Sequence, residues 1–237
     1  MKIKKLISAL VLGSMLVGLS GCNITDFSAE NLLRPPKAVG DEAEIEQLIA
    51  KTADSGYTLK YPKNGKFRSA IIMTDLDGND SNEAVAFFRN SAETSSVHML
   101  VMYSKDNSWE IASDNIFETT DIDSVDFADL TGNGKAEIIV NSTTYTPNVG
   151  KLSCYSYSEG KTNEVGSGQS CSSFVTGDFD NDGTSEIMSF VLYTTENEAL
   201  ASMLDYNEDS KSLYAKAMAN MDPNVVKYKN IAVTKLD

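Results

Sequence analysis

The chain is poor in imidazole, indole and basic side chains. One histidine, His98, and one tryptophan, Trp109, occur in 237 residues. A single imidazole leaves little material for a histidine-rich metal site, and no Ser/His/Asp constellation is evident around it. Twenty basic residues face 34 acidic ones, a net charge of −14. That balance argues against nucleic acid, whose phosphates need a basic face, and against a polybasic membrane patch. Long apolar runs are missing too. The stretch from Leu6 to Leu19 is short and glycine-interrupted, which disfavours a transmembrane anchor. With 41% hydrophobic and 23% charged residues, a folded globular chain is nevertheless expected, as one large domain or a short repeat array.

Residues 1–21 read as a secretory signal, with Lys2, Lys4 and Lys5 ahead of the apolar stretch. Leu19-Ser20-Gly21-Cys22 resembles the bacterial lipobox. That resemblance implies lipidation of Cys22, which would become the first residue of an extracytoplasmic protein anchored to the bacterial cell membrane. Removing residues 1–21 takes away three lysines and no acid, so the charge moves from −14 to −17. Residues 22–40 have no period, carry Pro35-Pro36, and read as a tether. Cys154 and Cys171 then remain as an even pair in an oxidising compartment. A disulfide between neighbouring strands and two buried thiols are both open readings.

The chain is organised around a nine-residue loop, Asp178-Phe179-Asp180-Asn181-Asp182-Gly183-Thr184-Ser185-Glu186. Side-chain oxygens stand at positions 1, 3, 5 and 9, and a glycine at position 6 permits the tight turn that folds them inward. Such oxygens suit a hard divalent cation, and calcium prefers six to eight of them. The spacing recurs from Asp75 to Glu83 and from Asp129 to Glu137, with first positions offset by 54 and then 49 residues. A period near 50 is the size of a propeller blade. An EF-hand is disfavoured: position 12 is Ala86, Val140 or Ser189, where that motif needs an acid, and the flanks read as strands.

Residues 41–66 are expected to form one helix, Asp41 to Ala53, capped by Asp41, and a short strand, Tyr57 to Tyr61. Residues 67–237 read as repeats of four antiparallel strands. In the first, Phe67–Met73 leads into the loop, and Glu83–Phe88, Val97–Tyr103 and Trp109–Ala112 follow it. In the second the strands are Val125–Phe127, Ile138–Asn141, Lys151–Tyr157 and a weak one at Thr162–Val165. In the third they are Ser173–Thr176, Ile187–Tyr193, Ala199–Tyr206 and Ser212–Ala215. Trp109 is expected in a blade core and His98 as a surface or packing residue; Tyr145, Tyr155 and Tyr157 are expected in packing or loops rather than on a ligand surface. Ile231 to Asp237 lines up with Ile71 to Asp77 and puts Lys235 at position 1 of a fourth loop. Since a strand without its blade leaves an open edge, the sequence reads as a truncated copy of a longer protein; the other reading closes a small ring with N-terminal material.

These repeats resemble the FG-GAP/VCBS repeats of integrin-like β-propellers over roughly residues 67–237. The resemblance implies a mainly β fold, a partial or small β-propeller of three to four four-stranded blades with one N-terminal helix, the last blade incomplete. It also implies calcium in the loops, through side chains at positions 1, 3, 5 and 9 and the carbonyl at 7. Those are Asp178, Asp180, Asp182, Glu186 and Thr184 in the third loop, and Asp75, Asp77, Asn79, Glu83 and Ser81 in the first, where Asp80 replaces the glycine. In the second they are Asp129, Thr131, Asn133, Glu137 and Lys135, with only two carboxylates and weaker binding expected. The function expected is a binding or scaffold module for a protein or glycan. A polysaccharide-acting enzyme and a solute-binding lipoprotein are the alternatives; the latter would need a βαβ pattern that the sequence lacks.

Overall fold

The structure, a computed structural model, describes residues 40–54, 56–143 and 149–224. The signal segment, Cys22, the tether, Tyr145 and the Ile231–Asp237 match lie outside the described residues. Helix α1 is Asp41–Ala53, with Ile45, Ile49 and Ala53 buried at helical spacing along one side. Asp41, Glu42 and Glu44 in the first turn and Lys51 in the last complement the helix dipole. Asp41 is not the cap. Gly40 takes that position, with φ 63° and no side-chain hydrogen bond, so Asp41 is already helical and contributes through its charge.

The rest of the described chain is β, in three antiparallel sheets. The first holds β1 (Tyr57–Leu59), β2 (Ile71–Thr74), β3 (Glu83–Asn90), β4 (Val97–Lys105) and β5 (Ser108–Phe117). The second holds β6 (Ile122–Ala128), β7 (Glu137–Thr143), β8 (Gly150–Ser158) and β9 (Lys161–Cys171), in that order across the sheet. The third repeats it with β10 (Ser173–Gly177), β11 (Glu186–Tyr193), β12 (Glu198–Asn207) and β13 (Ser212–Met221). Two-residue turns close β4 to β5 at Asp106-Asn107 (φ 50° and 61°) and β8 to β9 at Glu159-Gly160 (φ 51° and 73°). Positive φ at both central residues matches the twist of the flanking strands.

The sheets pack face against face in chain order. Ile72, Val85, Phe87, Met99 and Val101 of the first form one core with Val125, Ile138, Val140, Tyr155 and Tyr157 of the second. Ile139, Leu152, Cys154 and Val165 of the second pack with Ile187, Leu204 and Leu213 of the third. On the outer face of the first sheet, Ile45, Ile49 and Ala53 of α1 cover Ala84, Ala86, Phe88, Leu100, Met102 and Trp109. The helix thus caps one end of the stack, as terminal elements of repeat arrays do. Trp109, Tyr155 and Tyr157 are core residues.

Several strand limits differ from expectation. β1 stops at Leu59 and β2 starts at Ile71, because both pair with the same edge of β3 and residues 61–69 leave that edge between them, Lys60 N donating to Phe87 O and Phe87 N to Ala70 O at either side. The excursion reaches the second sheet: Lys63 N and Asn64 N donate to the carbonyls of Ile122 and Asp123 at 3.2 and 2.7 Å. Phe67 is therefore not in a strand; its ring meets Phe127 edge-on at 4.8 Å. The fourth strand of the second sheet is long, not weak, because β8 supplies a partner along its whole length.

No disulfide joins Cys154 and Cys171. Cys154 lies opposite Gly166 and Cys171 opposite Gly150. Four residues of register separate them, about 13 Å of strand, which exceeds the Cα separation a disulfide spans. Both are fully buried, burial pushes the Cys154 thiol far up, and Cys171 Sγ donates to Ser173 O at 3.2 Å. We therefore expect thermal melting to be the same with and without reductant; a reductant-dependent loss of several degrees would contradict it.

Candidate metal centre

The three loops connect β2 to β3, β6 to β7 and β10 to β11, and share one internal wiring. The position 9 glutamate begins the strand that follows the loop and accepts from the amide of position 2. Those bonds are Leu76 N to Glu83 Oε2, Leu130 N to Glu137 Oε2 and Phe179 N to Glu186 Oε2, each 2.8 Å. The position 5 side chain accepts from the amide of position 7: Ser81 N to Asn79 at 2.7 Å, Lys135 N to Asn133 at 2.8 Å, Thr184 N to Asp182 at 2.8 Å. Position 6 has positive φ throughout: 65° at Asp80, 79° at Gly134 and 95° at Gly183. Asp80 thus keeps the turn without glycine, as a short polar side chain in the left-handed region can. Asp75 accepts from the amides of Gly78, Asn79 and Asp80 at 2.8, 3.2 and 2.9 Å.

The loops also bond to one another. Ala136 N donates to Leu76 O at 3.0 Å, and Ser185 N donates to Asp129 O at 2.9 Å. Each bond runs from position 8 of one loop to position 1 or 2 of the loop before it, which sets the three in a row. Gly132 is required by that approach: a Cβ there would lie 2.7 Å from Thr184 Cγ2.

The chemistry differs from loop to loop. In the third, one carboxylate oxygen each of Asp178, Asp180, Asp182 and Glu186 lie within 4.8 Å of one another. In the first, Asp75, Asp77 and Glu83 do the same. The second has only Asp129 and Glu137. The buried glutamates separate the loops further. Glu137 is fully served, since its Oε1 accepts from Thr131 Oγ1 at 3.2 Å. Glu186 is 0% exposed and its Oε1 has no hydrogen-bond partner. Asp77 Oδ1 in the first loop is likewise buried without one. A carboxylate oxygen shut away from water without a donor is costly unless a cation or proton meets it. The donors are all hard oxygens, which suits calcium, magnesium or manganese and not a thiophilic metal.

Burial raises the pKa of Glu83, Glu137 and Glu186, and neighbouring acids push in the same direction: Asp77 and Asp75, Asp129, and Asp180 and Asp182 respectively. Asp182 is lowered by the hydroxyl and amide of Thr184, and Asp75 is lowered because its amide donors outweigh desolvation.

Two residues of the third site carry no signal in the sequence. Lys216 Nζ on β13 donates to Asp180 Oδ2 at 2.5 Å and to Asp205 Oδ2 on β12 at 2.9 Å. These carboxylates hold the ammonium well above the ordinary lysine range. Lys216 is 38 residues beyond the start of its loop, and only the folding of β11 through β13 brings it back. His98 behaves as a packing residue: its Nδ1 lies 2.9 Å from Asp114, and its ring stacks on Phe88 at 4.8 Å. Compared with known proteins, the chain matches no family model and no curated protein.

Proposed function

We propose that this chain is a lipid-anchored extracytoplasmic repeat protein of the FG-GAP/VCBS propeller kind. Its first and third loops hold structural calcium, and it acts as a binding or scaffold module for a protein or glycan ligand. The observation that carries the metal reading is Glu186, a fully buried carboxylate with a donorless oxygen inside a group of four acids. Three antiparallel sheets stacked in chain order, with like-built loops in a row between them, support the repeat reading. The lipobox-like Leu19 to Cys22 supports the anchor.

On this reading Asp178, Asp180, Asp182, Glu186 and the Thr184 carbonyl would hold one ion. Asp75, Asp77, Asn79, Glu83 and the Ser81 carbonyl would hold another. Calcium there supplies charge, neutralising acids that otherwise repel across a loop, and its binding adds to folding stability. The second loop, with Asp129, Thr131, Asn133, Glu137 and the Lys135 carbonyl, stays open because Thr131 already serves Glu137. Calcium titration by calorimetry then gives two ions per chain at neutral pH. A Thr131→Asp variant gains a third, since it gives the second loop the side-chain set of the first. No binding to the wild-type protein would remove the calcium reading.

A further inference from the structure

Each sheet carries a β-bulge in its last strand at the same place. In the first, Val101 pairs with Ser113 and Met102 with Ile111, leaving Ala112 extra. In the second, Cys154 pairs with Gly166 and Tyr155 with Glu164, leaving Val165. In the third, Met203 pairs with Ala217 and Leu204 with Ala215, leaving Lys216. A bulge re-aims the side chain of the extra residue. Ala112 and Val165 pack on the cores of their sheets. Lys216 turns its ammonium onto Asp180, position 3 of the loop in its own sheet.

We propose that Lys216 is an internal counter-cation of the third loop: it competes with the divalent ion for Asp180 and sets the affinity of that site below what its four carboxylates would give. This rests on the calcium reading above, and on the donorless oxygen of Glu186 that makes the third loop a cation site at all. Three features favour competition over a fixed structural bridge. Asp180 is fully committed without metal, its Oδ1 accepting from Asp182 N at 3.2 Å and its Oδ2 from Lys216. Lys216 has a second carboxylate to keep. Asp205 is anchored by Tyr206 N at 2.7 Å and by the Tyr214 hydroxyl at 3.2 Å, so the ammonium stays paired when Asp180 turns to an ion. The exchange is also accessible, since the Lys216 and Asp180 side chains are 33 and 28% exposed. The extra residue of the equivalent bulge in the first sheet is Ala112, which carries no charge, so that bulge gives the first loop no such competitor. Three carboxylates there and four restrained ones in the third loop make the two affinities closer than acid counting suggests.

The test is calcium titration of the intact protein against Lys216→Ala, whose side chain is the one the first sheet already tolerates at its bulge. The third-loop phase is identified as the one lost in Asp182→Asn. We expect that phase to tighten at least tenfold in Lys216→Ala, equivalent to about 1.4 kcal/mol, to keep its wild-type value in Lys216→Arg, and to leave the first-loop phase unchanged. Melting gives an independent readout: in chelator Lys216→Ala melts below wild type, yet its gain on adding calcium is larger. A bridge that is only structural would lower both curves equally. Calcium binding to the wild type with an unchanged or weaker third-loop phase in Lys216→Ala overturns the lysine proposal and leaves the calcium reading standing. Absence of binding in both proteins overturns the two together.

Discussion

The melting temperature of the intact protein is expected to rise by about 10 °C or more between chelator and millimolar calcium. The estimate follows from mass action: an ion at a hundredfold its dissociation constant adds about 2.7 kcal/mol per site. In a chain of this size each kcal/mol shifts melting by roughly 2–4 °C. Two sites therefore give a displacement well outside experimental error. Asp180→Asn combined with Asp182→Asn should remove the third-loop share, and Asp75→Asn combined with Asp77→Asn the first-loop share. A calcium-independent melting curve would mean that the loops are plain turns, whose Asp, Asn and Gly residues serve only backbone geometry.

The same experiment has a pH dependence of opposite sign in its two arms. Glu83, Glu137 and Glu186 have folded pKa values raised by burial above the ordinary 4.5. Between 4.5 and those raised values the folded state binds more protons than the unfolded state, so stability falls as pH rises through that interval. In chelator, acidification from neutral pH should therefore raise the melting temperature. Asp75 and Asp182 do not oppose this, because their lowered values place their loss of stability below the ordinary 3.8. With calcium, protons compete with the ion for the same carboxylates, and acidification should lower the melting temperature. The gap between the two curves narrows as pH falls. A gap that widened would require ligands other than these glutamates.

The loops were legible in the sequence because their information is local. Alternating acids, a turn residue at position 6 and a glutamate at position 9 specify a nine-residue unit without reference to the rest of the chain. Its threefold recurrence also set the sheet boundaries. Strand ends were less legible because partners decide them. β9 is a polar stretch, Lys161–Cys171, that owes its extended form to β8. Residues 61–69 leave β3, and the second sheet offers carbonyls to Lys63 and Asn64. Lys216 was illegible for the same reason. In the sequence it is one polar residue in a strand; a bulge and a three-strand return make it a neighbour of Asp180. Local pattern therefore reveals which residues could hold a cation, and topology reveals which side chain stands beside them. The cysteines show the remaining gap: adjacent strands were inferable, but the four-residue register offset that keeps the thiols apart was not.

Leu76→Ala is expected to destabilise the protein by about 2–5 kcal/mol, the cost of deleting a large buried side chain whose space is only partly refilled. Leu76 is position 2 of the first loop, 0% exposed, and belongs to the core shared by the first two sheets. Its backbone also carries one bond within that loop and one to the next loop. The amide donates to Glu83 Oε2, and the carbonyl accepts from Ala136 N in the next loop. The side chain is therefore the peg that holds Glu83 and the neighbouring loop in register. Loss of the peg should weaken calcium at the first loop although no ligand has changed, because the ion must then order what the core ordered before. Leu130, in the core between the second and third sheets, holds Glu137 by the same amide bond, while Asp129 O accepts from the next loop. Leu130→Ala should match Leu76→Ala in stability loss in chelator and leave first-loop calcium affinity near wild type. Denaturant unfolding with and without calcium separates the two effects. Equal losses in chelator, with a larger deficit for Leu76→Ala in calcium, are what a core-anchored metal loop requires. Identical deficits in both conditions would mean that the loop holds its ligands without help from the core.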